Sequence, residues 1–246
     1  MSEDKVKRKI IFLIFATVMV VAGGCGTAGG DTEASRDLFA MDTYMTVTAY
    51  GKGATEAVDQ AADEISRLDQ LLSTGNEDSE IYKINQSGDG ILSEETAYLV
   101  ERSLDLYEAT DGAFDIAIYP VMKAWGFTDD NFRVPDADEL KDLLTLTDAS
   151  DISYDKETSQ IAFEKDGMQI DLGGIAKGYT SARIMDIFRA CGIKSGLVNL
   201  GGNVQALGTK KDGSSWRVAV QDPQDTDQYL GVLSIQDKAV ITSGGY

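Results

Sequence analysis

The sequence predicts an α+β fold, in which mixed, largely antiparallel sheets pack against helices. Two periodicities predict it: apolar residues recur every three or four positions in some stretches, as in amphipathic helices, and every second position in others, as in half-buried strands. The strand patterns cluster towards the C-terminus and do not alternate regularly with helices, which argues against a doubly wound parallel sheet. With 246 residues, of which 43% are apolar, the chain has ample material for a buried core.

The first elements follow from these periodicities. Residues 44–50 alternate apolar residues with threonines and predict a half-buried strand. Residues 54–72 carry apolar side chains at helical spacing and predict a long amphipathic helix. A polar break separates this helix from a short helix predicted over residues 79–85.

The middle of the chain is interpreted from the signals that begin and end helices. Ser93 is the predicted N-cap of a second long helix, which ends at Asp111 and Gly112. Asp136 and Glu139 have the spacing of a capping box and predict the start of a further helix.

The remaining chain combines short strands with one long helix. Two or three short strands are predicted around turns at 155–156 and 166–167, and a helix follows Gly174 and runs to about Ala190. The further predicted strands cover residues 195–200, 204–208, 216–221 and 229–235.

Composition excludes several classes of function. The chain has 41 Asp and Glu against 22 Lys and Arg, and its formal net charge is −19. So large an excess of carboxylates argues against binding to nucleic acid, whose phosphates need Lys and Arg. The sequence contains no His. A Ser-His-Asp triad, a His-ligated zinc or haem and a His general base are therefore excluded within these residues.

The first 24 residues have the pattern of a lipoprotein signal peptide. A basic segment precedes an apolar stretch over residues 10–22, which is too short to span a bilayer, and small residues then lead to Cys25. We therefore expect a lipid-modified Cys25, a flexible polar tether over residues 25–36 and a folded domain over residues 37–246. An ordinary secretory signal, with Cys25 incidental, is the alternative.

The most informative segment for function covers residues 169–179, with the sequence QIDLGGIAKGY. Its pattern passes from a strand, through Gly173 and Gly174, into a helix whose first turn carries Lys177. Free N–H groups at a helix N-terminus attract anions, and glycine lets a phosphate approach the backbone closely. The segment matches neither a Walker A loop nor a dinucleotide-binding fingerprint. It therefore indicates either a phosphate site or a tight turn that needs glycine only for steric reasons.

Other residues are candidates for the same site. Glycine pairs also follow strands at 201–202 and 244–245, which suggests that several backbone turns surround one ligand, although each alone is more often only a turn. Asp115 and Asp171 could bind a base, a ribose or a metal, or could simply cap a turn. Phe127, within a Trp-Gly-Phe sequence, is interpreted as a core residue.

Taken in order, several short motifs resemble one family. They are FAMDT at 39–43, LLS at 71–73, DSE at 78–80, TDGAFD at 110–115, WGF at 125–127, IDLGGIAKGY at 170–179, VNLGGN at 198–203 and TSG at 242–244. The set extends over about residues 37–246 and resembles the FAD:protein FMN transferases, the ApbE family. The resemblance implies a bacterial enzyme, anchored or secreted outside the cytoplasmic membrane. With Mg2+, such an enzyme transfers FMN from FAD to a Thr or Ser hydroxyl of a partner flavoprotein, such as a subunit of a membrane electron-transfer complex, and releases AMP.

The resemblance also implies roles for individual residues. It implies FAD contacts at Met41, Ala113, Phe114, Asp115, Asp171 and Lys177, and a metal ligand at the backbone carbonyl of Gly174. It assigns no general base. Where family members often place an aromatic residue against FAD, this chain has Gly75.

The motif order also leads us to expect a C-terminally incomplete copy. Family members continue beyond the Thr-Ser-Gly motif into a His-containing stretch and then to an Asp and a Thr that bind the metal, whereas this sequence ends at Tyr246. The alternative function is therefore a non-catalytic, extracytoplasmic lipoprotein that binds flavin or another nucleotide, and a structural lipoprotein without a ligand is a third. If FAD binds, we expect a cleft shared by Met41, Asp115 and Lys177.

Overall fold

The computed structural model describes residues 32–129, 131–225 and 227–243. The signal peptide, Cys25 and most of the tether therefore lie outside the described residues. The strands and helices follow one another as β1 (Glu33–Ala40), β2 (Thr43–Tyr50), α1 (Ala54–Leu72), α2 (Glu80–Ser87), β3 (Asp89–Ile91), α3 (Glu94–Ala109), α4 (Tyr119–Trp125), α5 (Ala137–Leu143), β4 (Ile152–Asp155), β5 (Gln160–Phe163), α6 (Gly173–Ala190), β6 (Ser195–Leu200), β7 (Asn203–Leu207), β8 (Trp216–Gln221), β9 (Tyr229–Ile235) and β10 (Ala239–Ile241).

The main sheet has five strands in the order β1-β2-β6-β7-β10, and every neighbouring pair is antiparallel. Helices α1 and α6 pack on the sheet face that carries the buried side chains of β2. Ala61 and Ile65 from α1 and Phe188 from α6 share one core with Met45 and Val198 of the sheet. This core explains the alternation in β2, because every second residue of that strand faces the two helices.

A second core lies beneath a three-stranded antiparallel sheet of order β3-β5-β4. It combines apolar residues of α2 and α3 with the segment that leads into α6, including Ile81, Leu99, Ile161, Ile170 and Leu172. Helix α6 therefore belongs to both cores, with Ala176 near its start in this one and Ile184 and Phe188 in the first. A separate antiparallel pair, β8 and β9, packs on a small cluster around Trp216.

The predicted fold class is confirmed, and so are most of the helix starts. Ser79 caps α2 and accepts a backbone N–H of the first turn at 2.9 Å, and Asp136 accepts the Glu139 N–H of α5 at 2.8 Å. Ser93 does precede α3 but accepts no helix N–H; its hydroxyl donates to the Glu80 carboxylate at 2.8 Å. Within the described residues, no helix is long and apolar enough to cross a membrane.

Two sequence predictions are corrected. Strand β1 begins at Glu33, so residues 33–36 of the predicted tether pair with β2 instead of remaining free. The strand was missed because its side chains are mostly polar and exposed, and its apolar alternation is weak. The strand predicted before Gly173 is also wrong, since residues 168–172 pair with no strand.

Candidate functional site

The N-terminus of α6 is open on one side. Gly173 and Gly174 are exposed there, whereas Leu172 just before them is buried. Asp171 Oδ1 accepts the Gly173 N–H at 2.7 Å, and the next N–H group, that of Gly174, has no hydrogen-bond partner among the described residues. Lys177 lies one turn further on. Such a helix start offers both a free N–H and a cation to an anion.

Two cavities meet at this helix start. The first, called the Met41 cavity, has a volume of about 320 Å³, and its lining includes Met41, Asp42, Phe127, Asp171, Gly173 and Lys177. The second, called the Asn203 cavity, has a volume of about 760 Å³, and its lining includes Gly173, Lys177, Gly178, Gly202, Asn203 and Thr242. Gly173 and Lys177 belong to both. A ligand with two halves joined by an anionic linker could therefore occupy both cavities and place the linker over the start of α6.

Met41 lies in a strained hairpin turn. Met41 and Asp42 connect β1 to β2 and have φ angles of 48° and 56°, as in a type I′ turn that usually contains Asn or Gly. Asp69 Oδ1, from α1, accepts the Met41 N–H at 2.9 Å and supports the turn. Strained backbone of this kind concentrates at functional sites, and this turn forms one wall of the Met41 cavity.

A second hairpin turn lies beside the first. Gly201 and Gly202 connect β6 to β7 with φ angles of 60° and 89°, and Asn199 Oδ1 accepts the Gly202 N–H at 3.0 Å. A Cβ atom on Gly201 would collide with Thr43 of the neighbouring strand, so only glycine fits. Gly201 and Gly202 line the Asn203 cavity together with Gly173 and Gly174, so two of the three predicted glycine turns face one cavity. The pair at 244–245 lies outside the described residues.

Three aspartates, Asp42, Asp69 and Asp171, line the Met41 cavity. Burial raises the pKa of Asp171 above its ordinary value and the negative charge of Asp42 adds to this, whereas the Gly173 N–H and Lys177 oppose it. Lys177 itself has no ion pair within 4.0 Å among the described residues. This cation is therefore available to a bound anion.

The glycines of α6 serve different purposes. A Cβ atom on Gly174 would lie 2.9 Å from Phe114 Cε2, and one on Gly173 would lie 2.8 Å from Asp171 Oδ1. A Cβ atom on Gly178 would meet nothing within 4 Å. Gly173 and Gly174 are therefore needed at least for steric reasons, as the tight-turn interpretation of this segment expects. Gly178, in contrast, leaves open space beside the Asn203 cavity.

The structure does not bring Asp115 into the cleft. Its two carboxylate oxygens accept the N–H groups of Ala117 at 2.8 Å and Ala149 at 3.2 Å, and burial raises its pKa. Ala113, Phe114 and Asp115 are absent from the described lining of both cavities. The expectation of a shared cleft thus holds for Met41 and Lys177, which line the Met41 cavity, and is wrong for Asp115.

Other residues of the site were missed from the sequence. Phe127 is not a core residue: it is 58% exposed and lines the Met41 cavity, because the chain turns at Gly126, whose φ is 78°. Asn203 is only 5% exposed, and its Oδ1 has no hydrogen-bond partner in the described structure. Phe127 and Asn203 lie within the motifs at 125–127 and 198–203. The role of Asp69 could not be predicted, because nothing distinguishes it from the other polar residues of α1.

Comparison with known proteins identifies the family. The family model described as "ApbE family" matches residues 41–246. The FAD:protein FMN transferase of Treponema pallidum is 32% identical over 95% of this chain and 70% of its own length. The Klebsiella pneumoniae protein of the same name is also 32% identical, over 74% of this chain and 57% of its own length. The chain thus spans between about half and three quarters of the length of these relatives.

Solved structures agree with this match. The ApbE protein of Thermotoga maritima superimposes with a TM-score of 0.82 at 29% identity and covers 87% of this chain and 71% of its own. The apo form of the flavinyl transferase ApbE of Pseudomonas stutzeri gives a TM-score of 0.77 at 28% identity, covering 88% of this chain and 70% of its own. The chain therefore belongs to the ApbE family, a family of transferase enzymes.

Proposed function

We propose that this protein transfers FMN from FAD to a Thr or Ser hydroxyl of a partner flavoprotein and releases AMP, with Mg2+ as cofactor. One observation carries the proposal: Lys177 and the open start of α6 lie where the two cavities meet. FAD consists of two bulky halves joined by a pyrophosphate, and it has the shape and charge that this arrangement favours. The names of the relatives support the same substrate.

The residues of the chain would contribute binding and charge. In the reaction, the acceptor hydroxyl oxygen bonds to the phosphorus of the FMN half and gives up its proton to solvent, the bond from that phosphorus to the AMP oxygen breaks, and AMP leaves. Lys177 and the free Gly174 N–H would offset the negative charge of the pyrophosphate as that bond breaks. The walls of the two cavities would hold the halves of FAD in line for transfer.

The side chains that line the Met41 cavity could bind Mg2+ only if phosphate oxygens of the substrate supplied further ligands. Among the described residues, no group of three His, Cys, Asp or Glu could hold a metal alone. Asp42 and Asp171 line one cavity, and Mg2+ is commonly bound by one or two carboxylates plus substrate phosphates. We propose that these carboxylates and the Gly174 carbonyl hold it. When bound, Mg2+ would offset charge on the phosphates.

We further propose that the protein is anchored through a lipid on Cys25 at the extracytoplasmic face of the membrane. The signal-peptide pattern supports this location. The first described strand begins at Glu33, and an extended chain would hold that residue within on the order of 28 Å of Cys25. An acceptor subunit of a membrane electron-transfer complex would lie within that distance. Cys25→Ser should release the protein from membranes, and continued association would contradict lipidation.

The test incubates the protein with FAD, Mg2+ and a candidate acceptor protein. We expect flavin fluorescence that stays with the acceptor under denaturing conditions and is lost when the acceptor Thr is changed to Val. Lys177→Met should abolish the labelling while the protein remains folded. If FAD binds but no acceptor is labelled at any Mg2+ concentration, the non-catalytic flavin-binding alternative is supported instead.

A further inference from the structure

The segment before α6 has an unusual backbone environment. Residues 168–172 carry Asp171 to the site and pair with no strand, yet Ile170 is completely buried. A buried backbone N–H or C=O without a partner is costly, so both groups of Ile170 need one. Their partner lies far away in the sequence.

That partner is the side chain of Asn85, on the last turn of α2. Asn85 Oδ1 accepts the Ile170 N–H at 2.7 Å, and Asn85 Nδ2 donates to the Ile170 carbonyl at 2.8 Å. A primary amide presents a donor and an acceptor side by side, as the edge of a neighbouring strand does. Asn85 is 7% exposed, and its backbone carbonyl accepts a hydrogen bond from Gln169 Nε2 at 3.1 Å. One side chain therefore replaces the missing strand.

The hydrogen bonds continue from Ile170 into the site. The next residue, Asp171, donates its N–H to the Ile116 carbonyl at 2.8 Å and accepts the Gly173 N–H at 2.7 Å. Asn85 thus fixes the peptide directly before Asp171, three residues before α6 begins. We propose that Asn85 is a positioning residue, which holds Asp171 and the first turn of α6 in the geometry that binds FAD. This inference rests on the proposed function for the identity of the ligand.

Two substitutions separate positioning from simple packing. Asn85→Leu keeps a similar volume and removes both hydrogen bonds. Asn85→Asp keeps the acceptor for the Ile170 N–H but loses the donor to the Ile170 carbonyl whenever the introduced carboxyl group is ionised. When that carboxyl group is protonated, its O–H can donate again. Gln86→Leu, at an exposed neighbouring position on α2, is the matched control.

The experiment titrates FAD into the wild type and the three variants between pH 5 and pH 8. We expect Asn85→Leu to bind FAD about tenfold more weakly and Gln86→Leu to bind as the wild type does. Asn85→Asp should bind weakly at pH 8 and recover towards the wild type at pH 5. Lys123, which donates to Gln169, and Asp171 are ionisable groups in or beside this segment, so each comparison is made with the wild type at the same pH. Wild-type affinity in a folded Asn85→Leu protein would overturn the proposal.

Hydrogen exchange of the ligand-free proteins tests the role of Asn85 without any dependence on FAD binding. Asn85→Leu should speed exchange of the Ile170 and Gly173 amides, while amides in the middle of α1 keep their protection. If the wild type does not bind FAD, the proposed function fails, and these exchange rates alone decide whether Asn85 positions the segment. If Asn85→Leu does not fold, Asn85→Asp decides, and a lack of recovery at pH 5 would overturn the inference.

Discussion

The ring of Phe114 lies against Gly174, so close that a Cβ atom on this glycine would be 2.9 Å from Phe114 Cε2. The contact joins the turn after α3 to the start of α6. Gly178, one turn further along α6, faces open space beside the Asn203 cavity. A substitution at Gly174 therefore tests the packing against Phe114, whereas a substitution at Gly178 tests how closely the ligand approaches α6.

Gly178→Ala should stabilise the protein and weaken FAD binding. Alanine inside a helix is favoured over glycine by about 1 kcal/mol, and the added methyl group meets no atom of the protein. The free energy of unfolding, measured by urea denaturation, should therefore rise. FAD affinity, measured by titration, should fall because the methyl group occupies space beside the cavity.

Gly174→Ala is the matched comparison. Its methyl group displaces Phe114, which should cost about 1–3 kcal/mol, so the free energy of unfolding should fall despite the better helix propensity. If Gly178→Ala leaves FAD affinity unchanged, the ligand does not approach this part of α6, and the occupation of the Asn203 cavity by one half of FAD is contradicted.

Asp171→Asn should raise stability at neutral pH and impair Mg2+-dependent activity. Because burial raises the pKa of Asp171, its ionisation disfavours the folded state, and the wild type loses stability as the pH rises through this raised pKa. Asparagine still offers an oxygen to the Gly173 N–H but carries no charge. The gain in the free energy of unfolding should be present at pH 7 and disappear below the ordinary Asp value of about 3.9.

Urea denaturation at pH 7 and at pH 3.5 tests the stability, and FMN transfer tests the activity. A less stable Asp171→Asn protein at pH 7 would show that the ionised carboxylate is favourable where it lies. Full transfer activity in this variant would exclude Asp171 from the metal and phosphate site.

Phe127→Ala should weaken FAD binding with little effect on stability. Phe127 and Phe132 are 58% and 65% exposed and contact each other edge to face, but only Phe127 lines the Met41 cavity. Loss of an aromatic contact with a flat ring should lower the affinity by roughly two- to tenfold. Phe132→Ala is the control, and an equal loss of affinity in both variants would argue that the whole loop, rather than a Phe127 contact, matters.

The fold was largely predictable because its elements have strong local signals. The apolar spacing of α1 and the cap residues Ser79 and Asp136 depend on neighbours in the sequence, and the structure confirms each. Strand β1 has only a weak signal, because Ala34, Leu38 and Ala40 pack at the core while its other side chains are mostly polar and exposed. A polar strand of this kind cannot be recognised without its partner.

The candidate site was predictable only in part, because its supports come from distant residues. Met41, Asp171 and Lys177 were identified through motifs, and the structure brings them to one cavity. Asn85 replaces a strand from 85 residues away, a relationship that no local pattern encodes. The strand predicted before Gly173 is therefore wrong, and the backbone N–H and C=O of Ile170 bind the Asn85 side chain instead of a neighbouring strand.

Asp42→Gly should stabilise the hairpin and impair the site. Asp42 has a φ of 56°, and a left-handed conformation costs a non-glycine residue roughly 1–2 kcal/mol. Glycine removes this strain but adds flexibility to the unfolded chain, so we expect a gain of about 0.5–1 kcal/mol in the free energy of unfolding. Removing the charge should also lower the pKa of Asp171 towards its ordinary value, because Asp42 helps to raise it.

Ser159→Gly provides the control for this last prediction. Ser159 has the same φ of 56° in the turn between β4 and β5, and it lines neither cavity in the described structure. Both variants should be stabilised in urea denaturation, but only Asp42→Gly should need more Mg2+ to reach half-maximal transfer. If the Mg2+ requirement of the two variants is the same, Asp42 serves the turn and not the metal, and the metal site must be sought around Asp171 alone.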